Sequence, residues 1–256
     1  MIYPDLAGIF RKVLAEDIKS QKHYVGIVMR DVRGIDYESV VPFEVIFIPN
    51  NEYLTHFAGN DIKNPMYGLY DPDGECRYVG DILIPLKLIS GVCCGWVAFD
   101  PIVKARAEQT KDFSESYYEL PPSSIMKKGK VLFVRPEVYK KSLNDEYICL
   151  IDGVFDNISL DYHGFNSGSF LGSEVNSDNM FLLMFIKNLI VIPDNDEAGL
   201  KFVKSIRKFR PDARVCNQFW CKDADDVLKS DHCKEFCDTL NDCINDRHTL
   251  RSNRLF

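Results

Sequence analysis

Tyr147-Ile148-Cys149-Leu150-Ile151 followed by Asp152-Gly153-Val154-Phe155-Asp156 is the stretch on which the fold turns. An unbroken apolar run of this length, ended by a glycine and flanked by carboxylates, has the pattern of a buried strand leaving a sheet. Two further acidic clusters repeat the arrangement: Asp194-Asn195-Asp196-Glu197-Ala198-Gly199 after the run ending at Ile192, and Lys222-Asp223-Ala224-Asp225-Asp226 after the run ending at Trp220. Carboxylates carried past the ends of neighbouring buried strands converge above one edge of a sheet. Anionic oxygens held together repel unless a hard cation lies between them, and Mg²⁺ takes oxygen ligands at about 2.1 Å. A magnesium site for phosphate chemistry is the first expectation.

The second half of the chain alternates strands and helices. Phe155 to Tyr162 reads as helix, Phe165 to Leu171 as strand, Asn179 to Ile186 as a helix capped by Ser177 or Asp178, and Leu189 to Ile192 as strand. Ala198, Phe202, Val203, Ile206 and Phe209 mark a helix face, and Arg214 to Trp220 a further strand. That rhythm implies an α/β fold with a mostly parallel sheet flanked by helices. The first half is less regular. Leu6, Ile9, Phe10, Val13, Leu14 and Ile18 lie at helical spacing, Val40 to Ile48 reads as strand, and Asp81 to Leu86 with Val92 to Phe99 reads as a hairpin turning at Ser90-Gly91. Residues 100–130 read as an irregular, partly basic surface.

With 256 residues the chain can bury a substantial core in one domain of two lobes or in two small domains. A net charge of -7 argues against a general nucleic-acid binder, so contact with DNA or RNA requires a local basic surface. Nine cysteines without a regular framework, and no secretory leader pattern, predict a cytoplasmic protein with reduced thiols. The longest apolar run, Met180 to Ile192, is broken by Lys187 and Asn188 and is too short to span a bilayer, so no membrane partner is expected.

The acidic strings resemble the motifs of the Toprim domain. Asp152-Gly153-Val154-Phe155-Asp156 is similar to its Glu-Gly-x-x-Asp motif, and Ile190 to Gly199 to its Asp-x-Asp motif. Phe170-Leu171-Gly172-Ser173 and Lys222-Asp223-Ala224-Asp225 resemble the Leu-Gly-Thr and Lys-Asp-Pro-Asp segments of bacterial-type (DnaG-like) primases. Upstream, Arg33-Gly34-Ile35, Ile84-Pro85-Leu86 through Gly95, and Ile125-Met126-Lys127-Lys128-Gly129 look like segments of the primase core. The likeness covers roughly residues 25 to 230.

The resemblance implies a Toprim catalytic domain over residues 144–230, preceded by a mixed α/β primase N-terminal subdomain over 1–143 and followed by a short helical segment over 231–256. It implies an enzyme, a DNA primase: a DNA-directed RNA polymerase that makes short RNA primers on single-stranded DNA from ribonucleoside triphosphates. Asp152, Asp194 and Asp196 take the catalytic positions, and the same three with Asp223 and Asp225 the metal positions, for two or more Mg²⁺ or Mn²⁺ ions. Lys128, with Lys127, Lys130 and Arg106, takes the nucleotide and template position, while Asp156, Gly153, Gly172 and Lys222 support the site. Asp152 stands where the family has glutamate, one methylene longer. No zinc is expected in the chain, because no Cys-x-x-Cys pair precedes residue 30 and Cys233, Phe236, Cys237, Leu240 and Ile244 form an apolar helical stripe. A replicative helicase or a separate zinc-bearing template-recognition protein is the implied partner, and a phage or mobile-element source fits.

Other readings stay open. Asp194-Asn195-Asp196 can cap a helix starting near Glu197, Asp223 to Asp226 can be a solvated turn, Asp156 can orient its own turn, and the lysines can be ordinary surface. A weakly active or inactive primase-like accessory subunit, and a Toprim nuclease, are the alternative functions.

Overall fold

The computed structural model describes residues 6–121, 126 and 131–245. The chain divides into two compact units, Met1–Lys127 and Lys128–Phe256.

The first unit opens with helices α1 (Leu6–Glu16) and α2 (Ile18–Val28), separated at Asp17. Leu6, Phe10 and Val13 are fully buried, as the helical spacing requires. Short helices α3 (Tyr37–Val40) and α4 (Tyr53–Ala58) flank strand β1 (Ile46–Phe47). The strand expected over Val40 to Ile48 is thereby reduced to two residues. Pro42 lies in a 3₁₀ turn over Val41–Phe43, and Glu44 takes left-handed φ, 56°. Proline has no N–H to give a ladder and fixes its own φ, so the turn displaces the strand's first half.

Strands β2 (Ile82–Lys87) and β3 (Cys93–Phe99) form the expected hairpin, with Gly91 N–H donating to Leu88 O. With β1 and β4 (Tyr118–Glu119) they make an antiparallel sheet in the order β1-β2-β3-β4. Its core gathers Phe10, Tyr78, Leu83 and Trp96. The irregular stretch expected from residue 100 begins instead with helix α5 (Pro101–Thr110). Asp100 accepts hydrogen bonds from Ile102 N–H (2.8 Å) and Val103 N–H (3.0 Å), and Pro101 occupies the first turn, where its missing N–H costs nothing.

In the second unit, α6 (Pro136–Asp145) leads into β5 (Tyr147–Ile151), α7 (Val154–Tyr162) and β6 (Ser167–Ser169). Then come α8 (Ser177–Phe181), β7 (Asn188–Val191), α9 (Glu197–Arg207), β8 (Arg214–Val215), α10 (Ala224–Leu228) and α11 (Cys233–Asn245). The four strands are parallel in the order β6-β5-β7-β8, with Leu150 opposite Val191, Ile151 opposite Ser169, and Val191 opposite Val215. The α/β class and the parallel sheet are those expected. Strands β6 and β8 and helix α8 are shorter than their apolar runs: Leu171 turns to φ 59°, and residues 216–223 follow β8 as loop.

The core on one face of this sheet joins Cys149, Ile151, Ile190 and Ile192 to Phe236 and Leu240 of α11. Arg135 clamps the start of α6 to α7 through two bonds to Asp161, at 2.5 and 2.6 Å. Bidentate guanidinium–carboxylate pairing of this kind fixes orientation as well as proximity.

Candidate active site

A parallel sheet sends all its carboxyl ends to one edge. The chain leaves β5 for β6 on one side and later enters β7 on the other, so the strand order reverses between β5 and β7. A crevice opens at such a switch point. Asp152 follows β5, Asp194 follows β7, and Asp223 sits on the loop beyond β8.

Two glycines set how tightly these loops close. A Cβ at Gly153 would stand 2.0 Å from Asp156 Oδ2, and a Cβ at Gly199 would stand 2.1 Å from the Asp194 carbonyl oxygen. At Gly199 the neighbour is backbone and leaves no room for a side chain, and at Gly153 the Asp156 carboxylate would have to move, so the first turns of α7 and α9 draw in against their own acidic loops. Asp152 is held from behind: Ser169 Oγ donates to its carbonyl at 2.8 Å and receives Leu171 N–H at 3.0 Å, which places the Leu171-Gly172 turn beside β5. The Asp194 and Asp223 loops are joined by Asn195 N–H donating to Lys222 O at 2.8 Å.

The carboxylates divide into two groups. Asp156 and Asp225 are buried. Asp156 accepts from Asp225 N–H at 2.9 Å, tying α7 to α10. Asp225 receives Ser159 Oγ–H at 2.6 Å on one oxygen and Lys229 Nζ at 2.7 Å on the other. Ser159 and Lys229 escaped sequence reading, although Asp156 and Ser159 share a face of α7 at i, i+3, and Asp225 and Lys229 a face of α10 at i, i+4. Asp152, Asp194, Asp196 and Asp223 form the second group, nearer solvent. Asp196 caps α9, accepting from Gly199 N–H at 2.9 Å, and Asp223 caps α10, accepting from Asp226 N–H at 2.8 Å. Both caps are therefore real, and each leaves further carboxylate lone pairs to spare.

The electrostatics mark one focus. Asp194 is pushed up to about 8 by burial and then by Asp152, Asp156, Asp223 and Asp196. Burial likewise raises Asp152, helped by Asp196 and Asp223 and opposed by Lys222. Asp156 is raised by burial and by Asp223. Acids brought from three distant segments thus feel one another.

Among the described residues no three His, Cys, Asp or Glu side chains already stand as a metal-ligand set. Asp196 and Asp223 each spend one carboxylate oxygen on a backbone N–H at a helix start. The donor set still fits a hard divalent cation: it is all carboxylate oxygen, with no thiol or imidazole, and the repulsion concentrated at Asp194 is what a cation would relieve.

Lys127, Lys128 and Lys130 lie outside the described residues. Arg106 lies on α5 in the first unit, exposed and paired with Glu115 at 3.3 Å. Lys222 is exposed at the mouth of the acidic loop.

Residues 149–228 match the Toprim-like family. The RNA polymerase domain of Mycobacterium tuberculosis primase DnaG superposes with a TM-score of 0.72 at 17% identity, over 92% of this chain and 83% of that one. The chain has the fold of a DnaG primase core. A DnaG primase catalytic domain bound to single-stranded DNA superposes with a TM-score of 0.67 at 17% identity, over 92% of this chain and 78% of that one. In sequence, a DNA primase of Aquifex aeolicus (strain VF5) is 25% identical over 186 residues, 68% of this chain and 35% of the relative. The chain therefore spans about a third of that relative's length. The Toprim-like residues hold all three acidic clusters, at 152–156, 194–199 and 222–226.

Proposed function

We propose that this chain is the RNA-polymerising core of a DNA primase, joining ribonucleotides on a single-stranded DNA template. One observation carries the reading: acids from three separate segments lie close enough at the carboxyl edge of a primase-core sheet that Asp196 and Asp223 raise the proton affinity of Asp152, and all three raise that of Asp194. Asp152, Asp194, Asp196 and Asp223 are the proposed holders of two or more Mg²⁺ or Mn²⁺ ions. When bound, such ions supply a lowered pKa at an attacking 3′-hydroxyl and charge neutralisation at the departing triphosphate oxygens.

The chain's own residues do the rest. Asp225 completes the metal group on the sequence reading; with both its oxygens taken by Ser159 and Lys229, its proposed part is to set the position of α10 and hence of Asp223. Asp156 does the same through Asp225 N–H. Gly153 and Gly199 permit the close approach of loop and helix, and Gly172, at φ 148°, the turn behind Asp152. Lys222 offsets charge at Asp152. Lys128, Lys127, Lys130 and Arg106 are proposed for template and nucleotide phosphates, which a chain of net charge -7 must meet with a local basic surface. The DnaG relative bound to single-stranded DNA supports the template. A replicative helicase and a zinc-bearing template-recognition protein are the proposed partners, in a cytoplasmic setting.

Asp152 favours a second reading, a primase-like subunit of low activity, because its carboxylate reaches about 1.5 Å less far than the glutamate of the family. Incorporation of labelled ribonucleotides on single-stranded DNA separates the two. Asp194→Asn and Asp196→Asn are each expected to lower Mg²⁺-dependent synthesis by at least about a hundredfold. Synthesis that survives both changes removes the metal role; an inactive parent chain with intact DNA binding supports the second reading.

A further inference from the structure

Away from the acidic crevice, the end of α7 meets the start of α11. His163, the residue after α7, places Nε2 3.7 Å from Cys233 Sγ. Its other nitrogen, Nδ1, lies 2.8 Å from the Ser159 carbonyl oxygen, which can only accept, so Nδ1 carries the hydrogen and Nε2 presents its lone pair to the thiol. Cys233 is the first residue of the 13-residue α11, where the helix dipole favours negative charge. One turn along, Cys237 sets its thiol beside that of Cys233, and burial together with Cys233 raises its pKa. Cys233 is partly exposed, whereas Cys76, Cys93, Cys149 and Cys216 are buried. The neighbouring His232 is directed elsewhere, bonded to Glu235 at 3.0 Å and stacked on Trp220.

We propose that Cys233, with His163 as its base, is a nucleophilic thiol that reacts with peroxide and with soft carbon electrophiles, and that Cys237 is the second thiol that resolves the oxidised form. A helix N-terminus, an adjacent imidazole and partial exposure are the three conditions under which a thiolate forms and can be reached. With peroxide the thiol proton passes to His163 Nε2, and the sulfur attacks one peroxide oxygen. The O–O bond breaks, Cys233 becomes a sulfenic acid, and the departing hydroxide takes the imidazolium proton to give water. As the first turn of α11 opens to bring the two Cβ atoms, about 5–6 Å apart at i, i+4, within disulfide reach, the Cys237 sulfur displaces hydroxide from the sulfenic acid, its own proton leaving in a second water, and an S–S bond forms. Peroxide is the oxidant throughout and is reduced to water. The reaction is independent of the metal reading, since none of the groups proposed for metal takes part.

The test uses the whole reduced chain with limiting iodoacetamide, read cysteine by cysteine from peptide masses. Cys221, also partly exposed, serves as internal reference. Cys233 is expected to alkylate at least about tenfold faster than Cys221. His163→Ala should bring it down to the reference rate, and free imidazole should restore Cys233 in that variant while leaving Cys221 unmoved. Peroxide should give a Cys233–Cys237 disulfide in the parent chain and a sulfenic acid at Cys233, trapped by dimedone, in Cys237→Ser. Equal rates at Cys233 and Cys221 would overturn the proposal, as would a Cys233 rate indifferent to His163→Ala in a chain whose melting temperature is unchanged. A sulfenic acid that persists with Cys237 present would remove Cys237 from the scheme.

Discussion

At the scale of single residues, Asp194 concentrates the cost of the site. Burial and four neighbouring carboxylates raise its proton affinity, so the folded metal-free chain takes up a proton there near neutral pH at a cost in stability. Asp194→Asn should therefore raise the thermal stability of the metal-free chain at neutral pH, by on the order of 1 kcal/mol after allowance for solvent screening, while removing synthesis. A melting curve in chelator that shows Asp194→Asn below the parent would contradict this. Asp225 behaves oppositely. It is buried with Ser159 and the partly exposed Lys229 as partners, so Asp225→Ala removes the acceptor of a buried hydroxyl and of a surface ammonium and should cost about 1–3 kcal/mol, measured by urea unfolding. In the other unit, Asp81 is raised to about 7 by burial and by Asp100 and Glu119. Its folded pKa exceeds the unfolded value, so folding takes up a proton between about pH 4 and 7 and stability falls as pH rises through that window. Asp81→Asn should flatten the decline of melting temperature over that range, and an unchanged slope would refute the assignment.

At the scale of elements, the acids depend on where α7, α9 and α10 begin. Gly199→Ala drives a Cβ into the Asp194 carbonyl, which is backbone and cannot step aside, whereas Gly153→Ala meets only the far end of Asp156. Both should lose stability by about 1–3 kcal/mol, Gly199→Ala the more, as chemical denaturation of the pair would reveal. The sequence made β5, α7, β7, α9 and the β2–β3 hairpin legible because each couples an apolar period to a clear boundary, such as Asp196 before α9 or Ser90-Gly91 between strands. It misled over Val40 to Ile48, where Pro42 and Glu44 override a β-rich composition, and over residues 100–110, where the Asp100-Pro101 cap starts a helix whose surface is too polar to look periodic. In the crevice, the acids themselves were readable from their order. Ser159 and Lys229 were not, because their roles arise only when α10 is laid against α7.

At the scale of the whole molecule, the net charge of -7 limits how the proposed DNA template could be met. Few phosphates can be neutralised, so the salt dependence of single-stranded DNA affinity should be shallow, and Lys128→Ala should reduce the slope by about one further unit. An affinity and slope untouched by Lys128→Ala would exclude that lysine from the template path. Among the described residues no helix is long and apolar enough to cross a membrane. Carboxylates drawn from the ends of β5 and β7 and the loop beyond β8 are the proposed ion holders, and direct titration of Mn²⁺ followed by electron paramagnetic resonance tests this without need of turnover. Saturable Mn²⁺ binding that Mg²⁺ displaces, and that weakens at least about tenfold in each of Asp194→Asn, Asp196→Asn and Asp223→Asn, is the predicted result. Mn²⁺ left free in solution by the parent chain, or bound equally well by all three variants, would contradict it.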